Sequence, residues 1–199
     1  VEIGIARTRA KYRDCEEIRE IRALYLRHIR EAQRFIYAES QYFASRAIGE
    51  AIVQRLQEPD PPEIVIVHPA HADGWLEQQA MDHARAEIVR VIEAADAHDR
   101  FSLWVPYINT TAIYVHAKIM ITDDVILRIG SANLNNRSIG LDSECDVFID
   151  SRRPSNGHTG PAIASLRHSL LAEHLGLEAD DVGRLLEEHG SRRALIENE

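Results

Sequence analysis

Hydrophobic positions along the chain switch between two spacings. Ile18, Ile21, Leu24, Leu26, Ile29 and Ala32 recur every three or four residues, which predicts an amphipathic helix from about Glu16 to Arg34. "RFIYAES" then reads as a short buried strand. Ala47, Ile48, Ala51, Ile52 and Leu56 return to helical spacing, and "EPDPPE" closes that segment as a turn. "EIVIVHP" is a continuous apolar run, the pattern of a strand covered on both faces. "GWLEQQAMDHARAEIVRVIEAADAHD" predicts a long helix that serves as a cover. "FSLWVPY", "AIYVHAKIMIT", "VILRIGSA" and "ECDVFID" predict strands, and "PAIASLRHSLLAEHLG" and "EADDVGRLLEEHG" predict two closing helices. Residues 1–14 read as an extended lead-in, and "SRRALIENE" as a frayed end. Strands alternate with helices early and cluster later, which implies an α/β fold with a mixed β-sheet flanked by helices on both faces.

Composition narrows the functional classes. The chain has 199 residues, 45% of them hydrophobic, enough for one core or two small ones. No run reaches the ~18 apolar residues of a membrane span. The first residue is Val1 rather than Met, so the expectation is a piece of something longer. A formal net charge of -9 argues against broad electrostatic capture of nucleic acid. The two cysteines, Cys15 and Cys145, make neither a disulfide framework nor a zinc ligand set. Cys145 alternates with Val147 and Ile149 and is expected to be a buried small hydrophobe. Of the 23 basic residues only Lys11 and Lys118 are lysines. Arginine is the default cation of this chain, so a retained lysine suggests a use for a compact ammonium.

Lys118 lies in the one segment where polar groups interrupt β-like sequence: His116, Lys118, Asp123, Ser131, Asn133 and Glu144. Strand alternation sends His116 and Lys118 to one side, and Val115, Ala117, Ile119 and Ile121 to the other. If Asp123 and Asp124 form a two-residue loop, Thr122 pairs with Val125. His116 then lies opposite Ser131, Tyr114 opposite Asn133, and His116, Lys118, Ser131 and Asn133 share a face. An imidazole, an ammonium, a hydroxyl, an amide and a carboxylate on one patch suit a tetrahedral anion. Lys118 supplies charge, and Ser131 and Asn133 donate to the non-bridging oxygens. His116 attacks phosphorus or moves a proton. Glu144 accepts the other ring N–H and supports the imidazolium. Asp123, at the strand end, is expected to pin local structure more than to touch substrate.

These residues resemble the signature of the phospholipase D superfamily. His116, Lys118 and Asp123 match its H-x-K-x4-D motif, and "GSAN" matches the G-S-x-N that follows. "NNRSIGLDSECD", "RFIYAESQYF" and "LRHSLLAEHLG" are similar to segments in the second half of longer members, and Ser40 stands where Asn is usual. The likeness covers roughly residues 1 to 177, with 178–199 left as a C-terminal helix and tail. The resemblance implies a phosphodiesterase or phosphatidyltransferase with catalytic His116, Lys118, Asp123 and Glu144, and with His116, Lys118, Ser131 and Asn133 holding phosphate. It implies a phosphohistidine intermediate, a phospholipid or other phosphodiester substrate, and no metal or cofactor. One histidine attacks phosphorus while another protonates the leaving alcohol. H-x-K occurs only once here, so the chain carries half a site. The other half comes from an N-terminal half of the same protein, or from a second copy as in the small endonucleases of the family.

One other cluster stands out. "HPAHADGW" places His68, His71 and Asp73 together, but it lacks further ligands for a metal. A loop beyond a strand end is the simpler reading, with Trp75 as a packing anchor.

Overall fold

The computed structural model describes the backbone of residues 1–70 and 75–199, and the side chains of residues 1–70 and 83–199. His71 and Asp73 of the "HPAHADGW" cluster, and the side chain of Trp75, fall outside the described residues. The elements in chain order are β1 (Gly4–Arg9), β2 (Ile18–Arg19), α1 (Glu20–Glu31), β3 (Phe35–Ser40), β4 (Phe43–Ala44), α2 (Arg46–Leu56) and β5 (Glu63–Val67). There follow α3 (Trp75–Ala95), β6 (Phe101–Trp104), β7 (Tyr107–Ile108), β8 (Thr111–Ala112), β9 (Lys118–Thr122) and β10 (Ile126–Gly130). The chain finishes with β11 (Leu134–Asn135), α4 (Asn136–Gly140), β12 (Glu144–Asp150), α5 (Gly160–Leu175), α6 (Ala179–His189) and α7 (Arg192–Asn198).

Among the described residues eight strands form one sheet in the order β2-β1-β12-β10-β9-β3-β5-β6. β3, β5 and β6 run parallel, and the remaining neighbours are antiparallel. The mixed sheet expected from the sequence is therefore present. Strand alternation splits its side chains between two cores. Ile36, Ala38, Ile64, Ile66 and Met120 meet α1, α2 and α3 through Ile21, Leu24, Ile29, Ile48, Ile52 and Ile92. Phe35, Tyr37, Val65, Val67, Ile119 and Ile121 meet α5, α6 and α7 through Ile163, Leu171, Val182 and Leu195. Burying one such Leu or Ile is worth about 1.5–3 kcal/mol.

Three expectations are corrected. The last residues are not frayed. Ser191 caps α7 by accepting from the Ala194 N–H at 2.9 Å, Leu195 is fully buried, and Arg192 bonds Glu63 at 2.8 Å. β9 begins only at Lys118, because its neighbours β3 and β10 end at Ser40 and Gly130 and leave residues 113–117 without a ladder partner. Cys145 is exposed, not buried. The alternation in β12 holds with its faces reversed: Asp146 is buried and Phe148 packs on the first core. Cys145 shares the open face with Val147, which pairs in register with Ile5 and Ile129, and all three of these apolar side chains are exposed.

Asp146 faces inward because a guanidinium waits for it. Arg128 is 1% exposed, and its Nε donates to Asp146 Oδ2 at 2.7 Å. Its Nη2 also donates to the Ala132 carbonyl at 2.9 Å, and its guanidinium lies 3.9 Å from the Tyr25 ring centre. Tyr25 Oη donates to the same carbonyl at 2.8 Å, and the Ala132 N–H donates to Asp146 Oδ1 at 3.2 Å. This buried knot fixes the turn that leaves β10. Gly130 is required there, since a Cβ would sit 1.9 Å from Asp146 Oδ1 and 2.6 Å from the Asp146 Cα.

His28 of α1 is also buried. Its Nδ1 has no partner, and its ring meets Phe148 edge-on at 6.0 Å. Burial pushes its pKa down to about 4, and the Arg128 charge adds to the effect. The unfolded chain, with histidine near 6.5, binds the proton first. Stability contributed by neutral His28 is thus complete above pH 6.5 and is lost as pH falls from 6.5 toward 4. That loss amounts to about 3 kcal/mol at its full extent. Urea melts of wild type and His28→Leu across pH 4–7 check this, and the variant is expected to lose less stability over that interval.

Candidate active site

Two strand ends and one turn bring the polar residues together. Lys118 opens β9 opposite Ser40, the last residue of β3. Lys118 alternates with Met120 of the first core, and Glu144 alternates with Asp146 and Phe148. Both therefore stand on the α1–α3 side of the sheet, at the same end. Lys118 Nζ donates to the His116 carbonyl at 2.7 Å and to Gln41 Oε1 at 3.1 Å. Partial burial pulls this ammonium below its ordinary pKa, while the Glu144 carboxylate nearby raises it. His116 is exposed, and its ring stacks on Tyr114 with centroids 6.3 Å apart. Val115, Ala117, Ile119 and Ile121 go to the second core as the alternation requires, which leaves His116 and Lys118 on the other side.

The register differs from the one read in the sequence. Thr122 pairs with Ile126, so the loop holds Asp123, Asp124 and Val125 rather than two residues. Both aspartates adopt φ near 57°, and both are tied down from outside the hairpin. Asp123 accepts from the backbone N–H groups of Gln33, Arg34 and Phe35 at 2.7–2.8 Å. Asp124 takes a bidentate pair from Arg167 of α5, both bonds 2.8 Å. Asp123 thus pins the start of β3, at the far end of β9, about 16 Å from Lys118.

With that register His116 does not face Ser131, nor Tyr114 Asn133. Ser131 turns to β12: its hydroxyl donates to Glu144 Oε2 and accepts from the Cys145 N–H at 3.1 Å. The expected bond between Glu144 and the His116 ring is not formed. Asn133 is buried beside β3, with Oδ1 3.4 Å from Ser40 Oγ. Ser40 Oγ also accepts from the Leu134 N–H at 3.1 Å and donates to the Tyr42 carbonyl at 2.9 Å. Two residues at the end of β3, Ser40 and Gln41, therefore bridge the group, although neither stood out as a site residue. The signal was present in "RFIYAESQYF", whose polar end follows a buried strand. Gln41 Nε2 donates to Tyr114 Oη at 2.6 Å, so one amide links Lys118 to the aromatic that backs His116.

Beneath the site, Tyr37 and His174 converge on the buried Glu39 at 2.7 and 3.1 Å and tie α5 to β3. Among the described residues a concavity of about 620 Å³ between α2 and α3 is lined by none of His116, Lys118, Ser131, Asn133 and Glu144. His68 is buried with Nδ1 3.2 Å from Arg85. Among the described residues no group of three or more His, Cys, Asp or Glu is arranged to hold a metal.

Residues 25–159 match the family model described as "Cardiolipin synthase, PLD-like domain". The chain belongs to the phospholipase D-like superfamily. Phospholipase D zeta 1 of Arabidopsis thaliana is 31% identical over 221 residues, covering 84% of this chain and 20% of the relative. Phospholipase D1 of Saccharomyces cerevisiae is 30% identical over 214 residues, covering 80% and 12%. The chain thus spans a fifth or less of these two relatives. Two solved structures share the fold. Nuc from Salmonella typhimurium, a phospholipase D family member, superposes with a TM-score of 0.60 at 18% identity, covering 84% of this chain and 90% of that one. The phosphatidylserine synthase of Haemophilus influenzae gives 0.64 at 14% identity, covering 97% and 46%. The two curated relatives are phospholipases D by name.

Proposed function

We propose that this domain supplies one half of a phosphodiesterase or phosphatidyltransferase site, and that a second phospholipase D-like unit supplies the other. One observation carries the reading: Lys118 Nζ is held 2.7 Å from the His116 carbonyl, beside Gln41 and within the field of Glu144. An ammonium fixed on the backbone of a residue whose imidazole is exposed is suited to a phosphoryl group. In-line displacement needs a nucleophile and a leaving-group acid on opposite sides of phosphorus, and one imidazole cannot serve both in the same step. The nucleophile is assigned to the opposite unit. Its imidazole forms the P–N bond as the P–O bond to the leaving alcohol breaks, and His116 gives that oxygen its proton. Water or an acceptor alcohol then attacks phosphorus, returns a proton to His116, and breaks the P–N bond. Lys118 and Asn133 hold the non-bridging oxygens throughout. Ser131 joins them once its hydroxyl turns from Glu144, and Glu144 is then free to take the His116 N–H.

The opposite unit is proposed to be an N-terminal half, because the chain matches less than half of the phosphatidylserine synthase. A second copy is the alternative, favoured by the 90% coverage of Nuc, a family member of about one such unit. Sedimentation velocity with a bis(p-nitrophenyl) phosphate assay separates them. The first reading expects a monomer with no turnover. A dimer whose turnover is lost in His116→Ala supports the second. A monomer that turns over substrate, unaffected by His116→Ala, overturns both.

A further inference from the structure

Residues 101–117 contain no Asp, Glu, Lys or Arg, the longest such run in a chain that is 28% charged. Within it β7 and β8 form a hairpin separate from the main sheet, with Tyr107 paired to Ala112 and Ile108 to Thr111. All six residues from Tyr107 to Ala112 are exposed, so neither face of the hairpin rests on the body. Tyr107 is 53% and Ile108 65% exposed, and Tyr114 beyond them 42%. A two-stranded hairpin alone is marginal in water, and an uncharged one with bare Tyr and Ile is worse placed there than its surroundings.

The finger leads straight into the site. His116 follows Ala112 by four residues, at most about 14 Å of chain. We infer that the Tyr107–Ala112 hairpin docks on the surface of a phospholipid bilayer and sets His116 at headgroup depth; the choice of lipid rests on the phosphodiester reading of the site. Size argues for a bilayer over a protein partner. Stable protein interfaces use about 20–30 residues a side, and the finger offers six. Its chemistry fits as well: a tyrosine and an isoleucine to enter the acyl boundary, with Asn109, Thr110 and Thr111 to bond the headgroup layer. The absence of charge excludes capture by electrostatics, and the net charge of -9 opposes anionic lipid.

Vesicle flotation tests this, with phosphatidylcholine vesicles and with vesicles containing phosphatidylserine, at low and high salt. Wild type is expected on phosphatidylcholine vesicles at both salt concentrations. The Tyr107→Ser/Ile108→Ser variant is expected to bind at least about tenfold more weakly, the consequence of withdrawing two side chains from apolar contact. The His116 resonances, followed with inorganic phosphate, serve as a separate readout and are expected to respond equally in both proteins. Failure of wild type to float overturns the inference and turns attention to a protein partner. Binding only to phosphatidylserine vesicles, abolished by salt, also overturns it. Flotation with no response of His116 to phosphate leaves the docking surface standing and removes the phosphodiester reading instead.

Discussion

Asp146→Ala is expected to cost about 3–5 kcal/mol, the penalty for stripping a buried guanidinium of its counter-charge. Asp146 is fully buried and Arg128 is 1% exposed, so no water takes over the lost contacts. The truncation removes the acceptor for Arg128 Nε and the acceptor for the Ala132 N–H in one step. A domain of this size is stable by about 5–15 kcal/mol, so the variant should show a large fall in its urea midpoint. The turn from Gly130 to Asn133 should loosen with it, because Arg128 and Tyr25 meet on the Ala132 carbonyl. Replacing both partners by apolar residues of similar volume, Arg128→Met with Asp146→Leu, tests the cause. The introduced leucine side chain would meet Gly130, where even a Cβ on that glycine has no room, so some repacking cost is expected. The double variant should still recover part of the loss, because no buried charge is left unpaired. A loss below about 1 kcal/mol for Asp146→Ala would mean that the pair does not hold the turn.

The second large effect falls on ligand binding. Lys118→Met should weaken phosphate binding about 10–100-fold, the worth of one charge-assisted hydrogen bond of about 1.5–3 kcal/mol. The methionine keeps most of the stem that packs at the start of β9, so the fold should survive. Lys118→Arg should not restore binding. The Nζ fits between the His116 carbonyl and Gln41 Oε1 as a compact point, and a planar fork does not. Lys11 is the internal control: it is exposed and pairs with Glu16 at 3.2 Å, and Lys11→Met should leave phosphate binding unchanged. Phosphate titrations of the four proteins check the set. Equal affinity of Lys118→Met and wild type would remove Lys118 from the site.

Most of the layering was legible in the sequence, because helices and strands write different periods. Ile48, Ile52 and Leu56 could only line one face of α2, and "EIVIV" could only be covered twice. The candidate residues were legible for the opposite reason. His116 and Lys118 break an apolar alternation that Val115, Ala117, Ile119 and Ile121 keep. Register was not legible. It depends on Asp123 and Asp124 taking left-handed backbone, and they are held there by the backbone of residues 33–35 and by Arg167, both remote in sequence. The face of β12 was misread because polarity normally points outward. Arg128 and Asp146 invert that rule by burying each other, and Cys145 and Val147 are left exposed in consequence. Two charged residues at core-facing parity in neighbouring strands, Arg128 in "VILRIG" and Asp146 in "ECDVFID", are the trace such a pair leaves.

A half-site of this kind requires His116 to share a bound phosphoryl group with Lys118. Following the His116 ring resonances by NMR through a pH titration, with and without inorganic phosphate, asks this directly. A phosphate dianion beside the ring should raise the pH at which His116 loses its proton and shift its resonances in a saturable way, and Lys118→Met should need about 10–100-fold more phosphate to reach either effect. A His116 titration curve that is identical with and without phosphate would mean that no phosphoryl group is shared between His116 and Lys118.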